Sequence, residues 1–179
     1  VFPFYMKMYN SINKQMSQFH YSVIMEAITS KMLAERIMPD IVTERKVDGI
    51  IVLGQMKSNY LNTLRETKLP IVYLDFYDRT MEVPSVINDN VYGTYMLTNY
   101  LVSMGHTQIA YVGSIDATAS ILDRYLGYYR SLITHQLTMP DDYIIPDRNE
   151  EGYFIDLKLP KEMPTAFVCN CDGTANLLM

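Results

Sequence analysis

The sequence predicts an α/β fold built on doubly wound parallel sheet. Apolar runs that suit strands alternate with helical patterns through the first half of the chain, and such alternation implies parallel strands joined by right-handed crossovers. The run at residues 109–112 is apolar on both faces, which is typical of a strand buried inside a parallel sheet. A helical pattern at residues 91–104 precedes it, so strand, helix and buried strand form a βαβ unit.

The chain opens with a predicted helix whose apolar stripe runs from Tyr5 to Phe19. Residues 21–27, rich in Val and Ile, are predicted to form a strand. Helical composition follows at residues 30–44, and we expect Pro39 to break or kink that helix because proline removes a backbone donor.

Two buried strands are predicted next, at residues 50–53 and 71–74, with a short helix at residues 60–67 between them. In parallel sheets of this kind, ligands bind at the carboxyl ends of the strands. Asp75 follows the second of these strands, and Asp89 follows a further predicted strand in the run from Val86, so both fall at such an end.

The second half of the chain begins with a helix that Asp89 is placed to cap. Gly105 follows this helix and suits the left-handed conformation that commonly closes one. Residues 149–161 are too short and alternating for a full helix, so we expect an irregular connection there; Asp172 begins a final helix. The other helices and strands are predicted at residues 91–104, 109–112, 121–135, 143–145 and 164–169.

Composition limits the function classes. With 49% hydrophobic and 20% charged residues, the 179-residue chain can bury a core, and no apolar run approaches the ~20 residues of a membrane helix. The net charge of −5, without a cluster of Lys and Arg, argues against nucleic-acid binding by these residues themselves. Cys169 and Cys171 are interpreted as free thiols, which suits a reducing cytoplasm.

No motif indicates catalysis or a cofactor. The sequence lacks the glycine-rich dinucleotide and P-loop patterns, the nucleophile elbow and the His-Glu-x-x-His zinc motif. The three histidines show no ligand spacing with the cysteines. We therefore expect neither a metal nor a cofactor, and a binding site rather than an active site.

Several motifs occur in a specific order. They are Val-Asp-Gly-Ile-Ile at residues 47–51, Asp89-Asn90 with Gly93, Gly105-His106 with the strand at residues 109–113, and Ser120, Arg124, Gly127 and Tyr128. Together they resemble the lactose/galactose-repressor (LacI/GalR) family of bacterial transcription regulators, in its effector-binding domain.

The resemblance implies a periplasmic-binding-protein-like fold of type I, with two doubly wound parallel-sheet lobes. It implies an N-terminal lobe at residues 1–104 and part of a C-terminal lobe at residues 105–179. The second lobe is expected to be incomplete, because the later segments that cross back in the family are missing here. An effector, a sugar or a related small molecule, is expected in the cleft between the lobes.

The ligand-binding side chains that we predict supply carboxylates, a hydroxyl, a guanidinium and flat aromatic rings, a mixture that suits sugar recognition. They are Phe4, Tyr5, Asp89, Ser120, Arg124 and Asp172. The resemblance places Asp89 on the first lobe and Arg124 on the second, so one effector would bridge both.

Each of these residues has a simpler alternative role. Tyr5 lies on the helix stripe and would equally suit the core, while Asp89 and Asp172 would only cap helices and Arg124 would only pair with an acidic residue such as Asp123. The family commonly has Asn-Asp where this chain has Cys171-Asp172, so the effector is expected to differ from the common sugars.

Three functional hypotheses follow. The first is a cytoplasmic regulator domain that acts as a homodimer, with the first-helix stripe as a candidate contact. It would reach operator DNA through a helix-turn-helix outside these residues, and would have no membrane partner. The second is a secreted sugar-binding protein of a transporter, and the third, an enzyme, is disfavoured by the missing catalytic motifs. The gene sequence upstream of Val1 would separate the first two.

Overall fold

The computed structural model describes residues 2–78, 80 and 82–179. The chain divides into two compact units, Val1–Ile87 and Asn88–Met179. Each unit contains a sheet of three parallel strands. The predicted α/β class with parallel sheets is therefore confirmed.

The described residues of the first unit form four helices and three strands. The helices are α1 (Phe2–Ser17), α2 (Ser30–Glu35), α3 (Asp40–Thr43) and α4 (Ser58–Arg65), and the strands are β1 (Ile50–Leu53), β2 (Ile71–Leu74) and β3 (Ser85–Val86), in the sheet order β1-β2-β3. Pro39 lies between α2 and α3, so the predicted break is confirmed.

The core of the first unit packs α4 against the first two strands. Tyr60, Leu61 and Leu64 form the buried face of α4, and Val52 and Tyr73 come from β1 and β2. The remaining buried member, a phenylalanine just after β2, stacks on the Tyr73 ring with centroids 4.6 Å apart. The i, i+1 and i+4 spacing on α4 puts all three side chains on one face, which explains why so short a helix is stable here.

The predicted strand at residues 21–27 was wrong. These residues form no ladder with another described strand, and several of the apolar side chains are exposed. Their polar groups serve local contacts instead, since the Val23 carbonyl accepts a hydrogen bond from Tyr9 Oη and the Glu26 carboxylate accepts from the Asp40 and Ile41 amides. The β propensity of Val and Ile does not produce a strand without a partner edge.

The second unit surrounds a central strand. Its elements are α5 (Asn90–Ser103), β4 (Ile109–Val112), α6 (Ala119–Thr134), a 3₁₀ turn (Asp141–Tyr143), β5 (Ile144–Ile145), β6 (Ala166–Cys169) and α7 (Asp172–Leu178), with the sheet order β5-β4-β6. All four residues of β4 are buried. The expectation of a strand that is covered on both faces is confirmed.

Alternate residues of β4 face different parts of the core. Ile109 and Tyr111 pack with the buried face of α6, whereas Ala110 and Val112 pack with the 3₁₀ turn and β5. The two-residue period of a strand sends neighbouring side chains to opposite faces. Tyr111 Oη donates to the Ile121 carbonyl at 2.9 Å, which ties the start of α6 to the sheet.

Helices α5 and α6 approach each other closely, within one compact unit. A Cβ atom at Gly127 would lie 2.1 Å from the Val91 carbonyl oxygen and 3.0 Å from the Tyr95 amide nitrogen, so only glycine fits there. The predicted division at residues 104 and 105 would have separated these two helices. The structure divides the chain between Ile87 and Asn88 instead, because α5 buries its inner face within the second unit.

The connection at residues 149–161 is irregular, as predicted. It begins as a small hairpin in which Arg148 and Phe154 form an isolated antiparallel bridge. The turn is closed by Gly152, whose φ of +85° lies in the region that favours glycine.

We predict that Gly127→Ala destabilises the second unit by about 1–3 kcal/mol, because the new methyl group must force α5 and α6 apart. Gly93→Ala is the matched control: Gly93 lies inside α5, and no atom lies within 4 Å of the place that its new methyl group would take. Alanine should raise helix propensity there by up to ~1 kcal/mol. Urea unfolding of both variants gives the two free energies, and equal effects would contradict the close approach at Gly127.

Candidate functional site

The carboxyl ends of the three strands in the second unit meet at one buried carboxylate. Asp147 follows β5, and its side chain has no exposed surface. Ser114 follows β4 and Asn170 follows β6. All three residues belong to the edge at which parallel sheets bind ligands.

The Asp147 carboxylate accepts hydrogen bonds from every side of this edge. The Ser114 amide and Arg148 Nε donate to Oδ1 at 2.9 and 3.1 Å. Arg148 Nη2, Asn170 Nδ2 and Thr174 Oγ1 donate to Oδ2 at 2.9, 2.7 and 2.5 Å. Together, Ser114, Asp147, Arg148, Asn170 and Thr174 form what we call the Asp147 network.

The Asp147 network keeps its carboxylate ionised. Burial by itself would raise the pKa of Asp147, but the hydrogen bonds from Arg148, Thr174 and Asn170 outweigh it and hold that pKa well below its usual range. Burial would likewise lower the pKa of Arg148, yet its hydrogen bond and charge interaction with Asp147 raise it. The guanidinium is also placed over the Phe154 ring, 5.0 Å from its centroid.

Cys169 and Cys171 are free thiols, which confirms the prediction. Burial raises the pKa of Cys169 to about 11, and electrostatic interactions with nearby Cys171 and Asp147 act in the same direction. This thiol is therefore neutral at pH 7. The Cys171 sulfur lies 3.8 Å from Arg148 Nη2 and 3.3 Å from Thr174 Oγ1. Cys171 therefore borders the Asp147 network at the start of α7.

Ser120 and Arg124 lie near the start of α6. Thr118 caps this helix, and its Oγ1 is 3.1 Å from the Ser120 hydroxyl. Arg124 lies in the second turn, one turn later than expected, and is half-buried. Its positive charge opposes the rise that burial causes in the pKa of Tyr111.

Arg124 differs from Arg148 in its use of hydrogen bonds. Neither a hydrogen bond nor an ion pair joins the Arg124 side chain to the rest of the described chain, whereas Arg148 is held by both carboxylate oxygens of Asp147.

Asp89 caps α5. Its Oδ1 accepts from the Tyr92 amide at 2.9 Å, which is the simpler of its two predicted roles. Asp89 and Arg124 belong to the same compact unit, because α5 packs against α6.

The remaining residues that we predicted to bind a ligand are Asp172, Phe4 and Tyr5. Asp172 is exposed in the first turn of α7. In the first unit, the Phe4 and Tyr5 rings meet edge to face with centroids 5.3 Å apart. Tyr5 is half-buried, and its hydroxyl donates to Asp75 Oδ2 at 3.4 Å.

Tyr5 lies at the carboxyl ends of β1 and β2. A Cβ atom at Gly54, directly after β1, would come within 2.9 Å of the Tyr5 hydroxyl oxygen, and Asp75 directly follows β2. The ring therefore lies at the edge where a ligand is expected, with Asp75 as a neighbouring carboxylate that the sequence placed at this edge but did not select.

The sequence reasoning missed the Asp147 network. A usable signal existed, because Asp147 follows a predicted strand just as Asp75 does.

The described residues contain no group of three or more His, Cys, Asp or Glu side chains that could hold a metal ion. Within the same residues, no helix combines the length and hydropathy needed to cross a bilayer.

The comparisons with known proteins agree with one another. A family model described as periplasmic binding proteins and the sugar-binding domain of the LacI family matches residues 2–176. The probable HTH-type transcriptional repressor ExuR of Bacillus subtilis is 30% identical over 145 residues, which is 76% of this chain and 43% of that protein. The repressor PurR of Glaesserella parasuis is 27% identical over 141 residues, 76% of this chain and 42% of its own length.

A solved structure shares the fold. The putative ribose operon repressor from Burkholderia thailandensis superposes with a TM-score of 0.79 at 22% identity, covering 97% of this chain and 66% of that one. The chain therefore spans less than half the length of these two repressors and about two thirds of this structural neighbour.

We predict that Asp147→Asn lowers the free energy of unfolding by about 3–5 kcal/mol at pH 7, because the buried Arg148 guanidinium loses its anionic partner. The pKa of Asp147 is lower in the folded chain than its ordinary value of 3.8. Its contribution is therefore complete above that value and is lost as the pH falls below it.

The wild type should accordingly lose its advantage over the variant as urea unfolding is repeated at falling pH. Asp156→Asn removes an exposed carboxylate from the same connection and should change stability by less than ~0.5 kcal/mol. Equal stability of wild type and Asp147→Asn at pH 7 would show that the network adds nothing.

Proposed function

The chain belongs to the family of periplasmic binding proteins and sugar-binding domains of LacI-type regulators, and we propose that it is the effector-binding part of a bacterial transcription regulator. A helix-turn-helix outside these 179 residues would bind operator DNA. The relatives that match it are transcriptional repressors, which favours this function over that of a transporter's secreted binding protein. It also favours a binding protein over an enzyme.

The observation that carries the proposal is the state of Arg124. A half-buried guanidinium has lost part of its hydration, and proteins normally compensate that loss with hydrogen bonds. Arg148 receives this compensation from Asp147, but Arg124 receives none from the described residues. A bound effector with hydroxyl or carboxylate oxygens would supply it, in the forked geometry that guanidinium favours.

The other candidate groups of the two units suit a polyhydroxylated effector. Ser120 shares the start of α6 with Arg124, and Asp172 offers a carboxylate in the first turn of α7. Asp89 Oδ1 is used for capping, which leaves its second carboxylate oxygen for a ligand hydroxyl. In the first unit, Phe4 and Tyr5 present rings suited to the C–H face of a sugar.

The effector would act by population shift. It can favour one arrangement of the regulator only by its differential affinity for the two arrangements. Operator affinity would then change by a coupling that is typically ~1–3 kcal/mol. We propose a homodimer in the cytoplasm without a cofactor or a membrane partner, consistent with the free thiols.

The gene sequence upstream of Val1 tests the class of protein. A basic helix-turn-helix there would support the regulator, and a secretory signal peptide would support the transporter protein. The full-length protein should then shift an operator fragment from its own promoter region in a salt-dependent manner, and the effector should change that affinity.

We predict that Arg124→Ala weakens effector binding by about 1.5–3 kcal/mol, because a charge-assisted hydrogen bond is lost. The effector is first found by thermal shift with a panel of neutral pentoses, hexoses and disaccharides, beginning with ribose. Calorimetry then measures the affinity of wild type and variant.

Arg130→Ala is the control, since Arg130 lies on the same helix but is exposed and stacks on the Tyr95 ring. It should leave affinity unchanged. Unchanged affinity in Arg124→Ala, together with a much lower melting temperature, would mean that Arg124 is structural and that the site assignment fails.

A further inference from the structure

The Phe154 ring lies where three parts of the carboxyl edge of the second unit meet. The Arg148 guanidinium is placed over this ring, 5.0 Å from its centroid. At the far end of the ring, a Cβ atom added to Gly173 would come within 3.0 Å of Phe154 Cζ and 3.5 Å of Cε2. The ring therefore joins the hairpin after β5 to the Asp147 network and to the first turn of α7.

The backbone that carries this ring is held on both sides. Phe154 forms the isolated antiparallel bridge with Arg148. The next amide, that of Ile155, donates to the Asp147 carbonyl at 3.1 Å. A ring on an ordered backbone can hold its neighbours at a lower entropic cost than a ring on a free loop can.

Helix α7 needs such contacts because it is short. It has seven residues, and isolated helices of this length are not stable in water. On its inner side, Thr174 Oγ1 donates to Asp147 Oδ2 at 2.5 Å. Asp172 is exposed in the same first turn, so the direction of its carboxylate depends on the backbone of that turn rather than on burial.

We propose that Phe154 is a positioning residue, which holds the first turn of α7 and with it the Asp172 carboxylate at the sheet edge. The contact with the guanidinium requires an aromatic ring, and the ring approaches α7 closely because Gly173 has no side chain. Only the last step, in which Asp172 contacts the effector, rests on the proposed function.

A role confined to core packing or to the charge of Arg148 accounts less well for this ring. Arg148 already donates to both carboxylate oxygens of Asp147, so its charge is compensated without Phe154. Phe154 is 39% exposed, so it buries less apolar surface than a core aromatic residue does. What the ring adds is its contact with α7.

Hydrogen exchange of the full-length protein without effector, followed by mass spectrometry, tests this role. Phe154→Leu keeps an apolar side chain but removes the ring. It should speed exchange of the amides at residues 175–178 about fivefold, the factor that corresponds to ~1 kcal/mol. Exchange in β4 is the internal reference for global unfolding and should stay unchanged.

Two further variants separate the ring from other causes. Phe154→Tyr keeps the ring and should restore slow exchange in α7. Tyr153→Leu is the matched control, because it makes a similar change at a neighbouring tyrosine of the same hairpin that is 70% exposed. It should leave exchange in α7 unchanged.

Calorimetry with ribose and the other neutral sugars of the panel tests the link to Asp172. Phe154→Leu should weaken sugar binding about threefold or more when Asp172 is present, and should have no further effect after Asp172→Asn. A positioning residue acts through the group that it positions, so the two substitutions are not additive.

Melting curves check that each variant is folded, and Phe154→Met repeats the comparison if Phe154→Leu unfolds. Unchanged exchange of α7 in these variants would overturn the proposal, and so would equal exchange in Phe154→Tyr and Phe154→Leu. A loss of affinity that persists after Asp172→Asn would show a general structural role instead. If the wild type binds none of the sugars, the proposed function fails, while the exchange comparison still decides whether Phe154 holds α7.

Discussion

The buried charge of Asp147 constrains the whole carboxyl edge of the second sheet. An ionised carboxylate without exposed surface is stable only if several donors surround it, and here they come from the ends of all three strands and from α7. The loop from β4 to α6, the start of the hairpin and the first turns of α7 are thereby held to one point. Two of these segments adjoin the proposed effector residues in sequence: the loop leads into α6, which carries Ser120 and Arg124, and Asp172 lies in the first turn of α7.

Two arginines near this edge have different physical states. Arg148 is neutralised by Asp147 and stacked on Phe154, which makes it a structural cation whose removal would leave a buried anion. Arg124 is half-buried on α6 without such compensation from the described residues. A sheet edge that satisfies one guanidinium and leaves another available can be stable without a ligand and still bind one. Cys171 stands where the family commonly has an asparagine, so this chain lacks that side-chain amide. The Cys171 sulfur lies beside the Arg148 guanidinium instead.

Helix α5 packs closely against α6, the helix that carries Arg124. It begins at the Asp89 cap, lies against α6 along a surface that Gly127 makes narrow, and presents an uncharged outer face. The close approach at Gly127 makes the two helices move together, because well-packed interfaces do not deform gradually.

Local sequence was enough to determine most of the elements and the family. Runs such as residues 50–53, 71–74 and 109–112 form strands at those residues, and the caps at Asp89 and Gly105 act as expected, because capping and burial on both faces depend on neighbours in sequence. Only the tertiary structure decided that residues 21–27 stay out of a ladder, that α5 belongs with α6, and that Asp147 gathers its donors from residues as far away as Ser114 and Thr174. Strand pairing, helix partnership and compensation of a buried charge all require atoms that are distant in sequence, and no local pattern records which of them will meet.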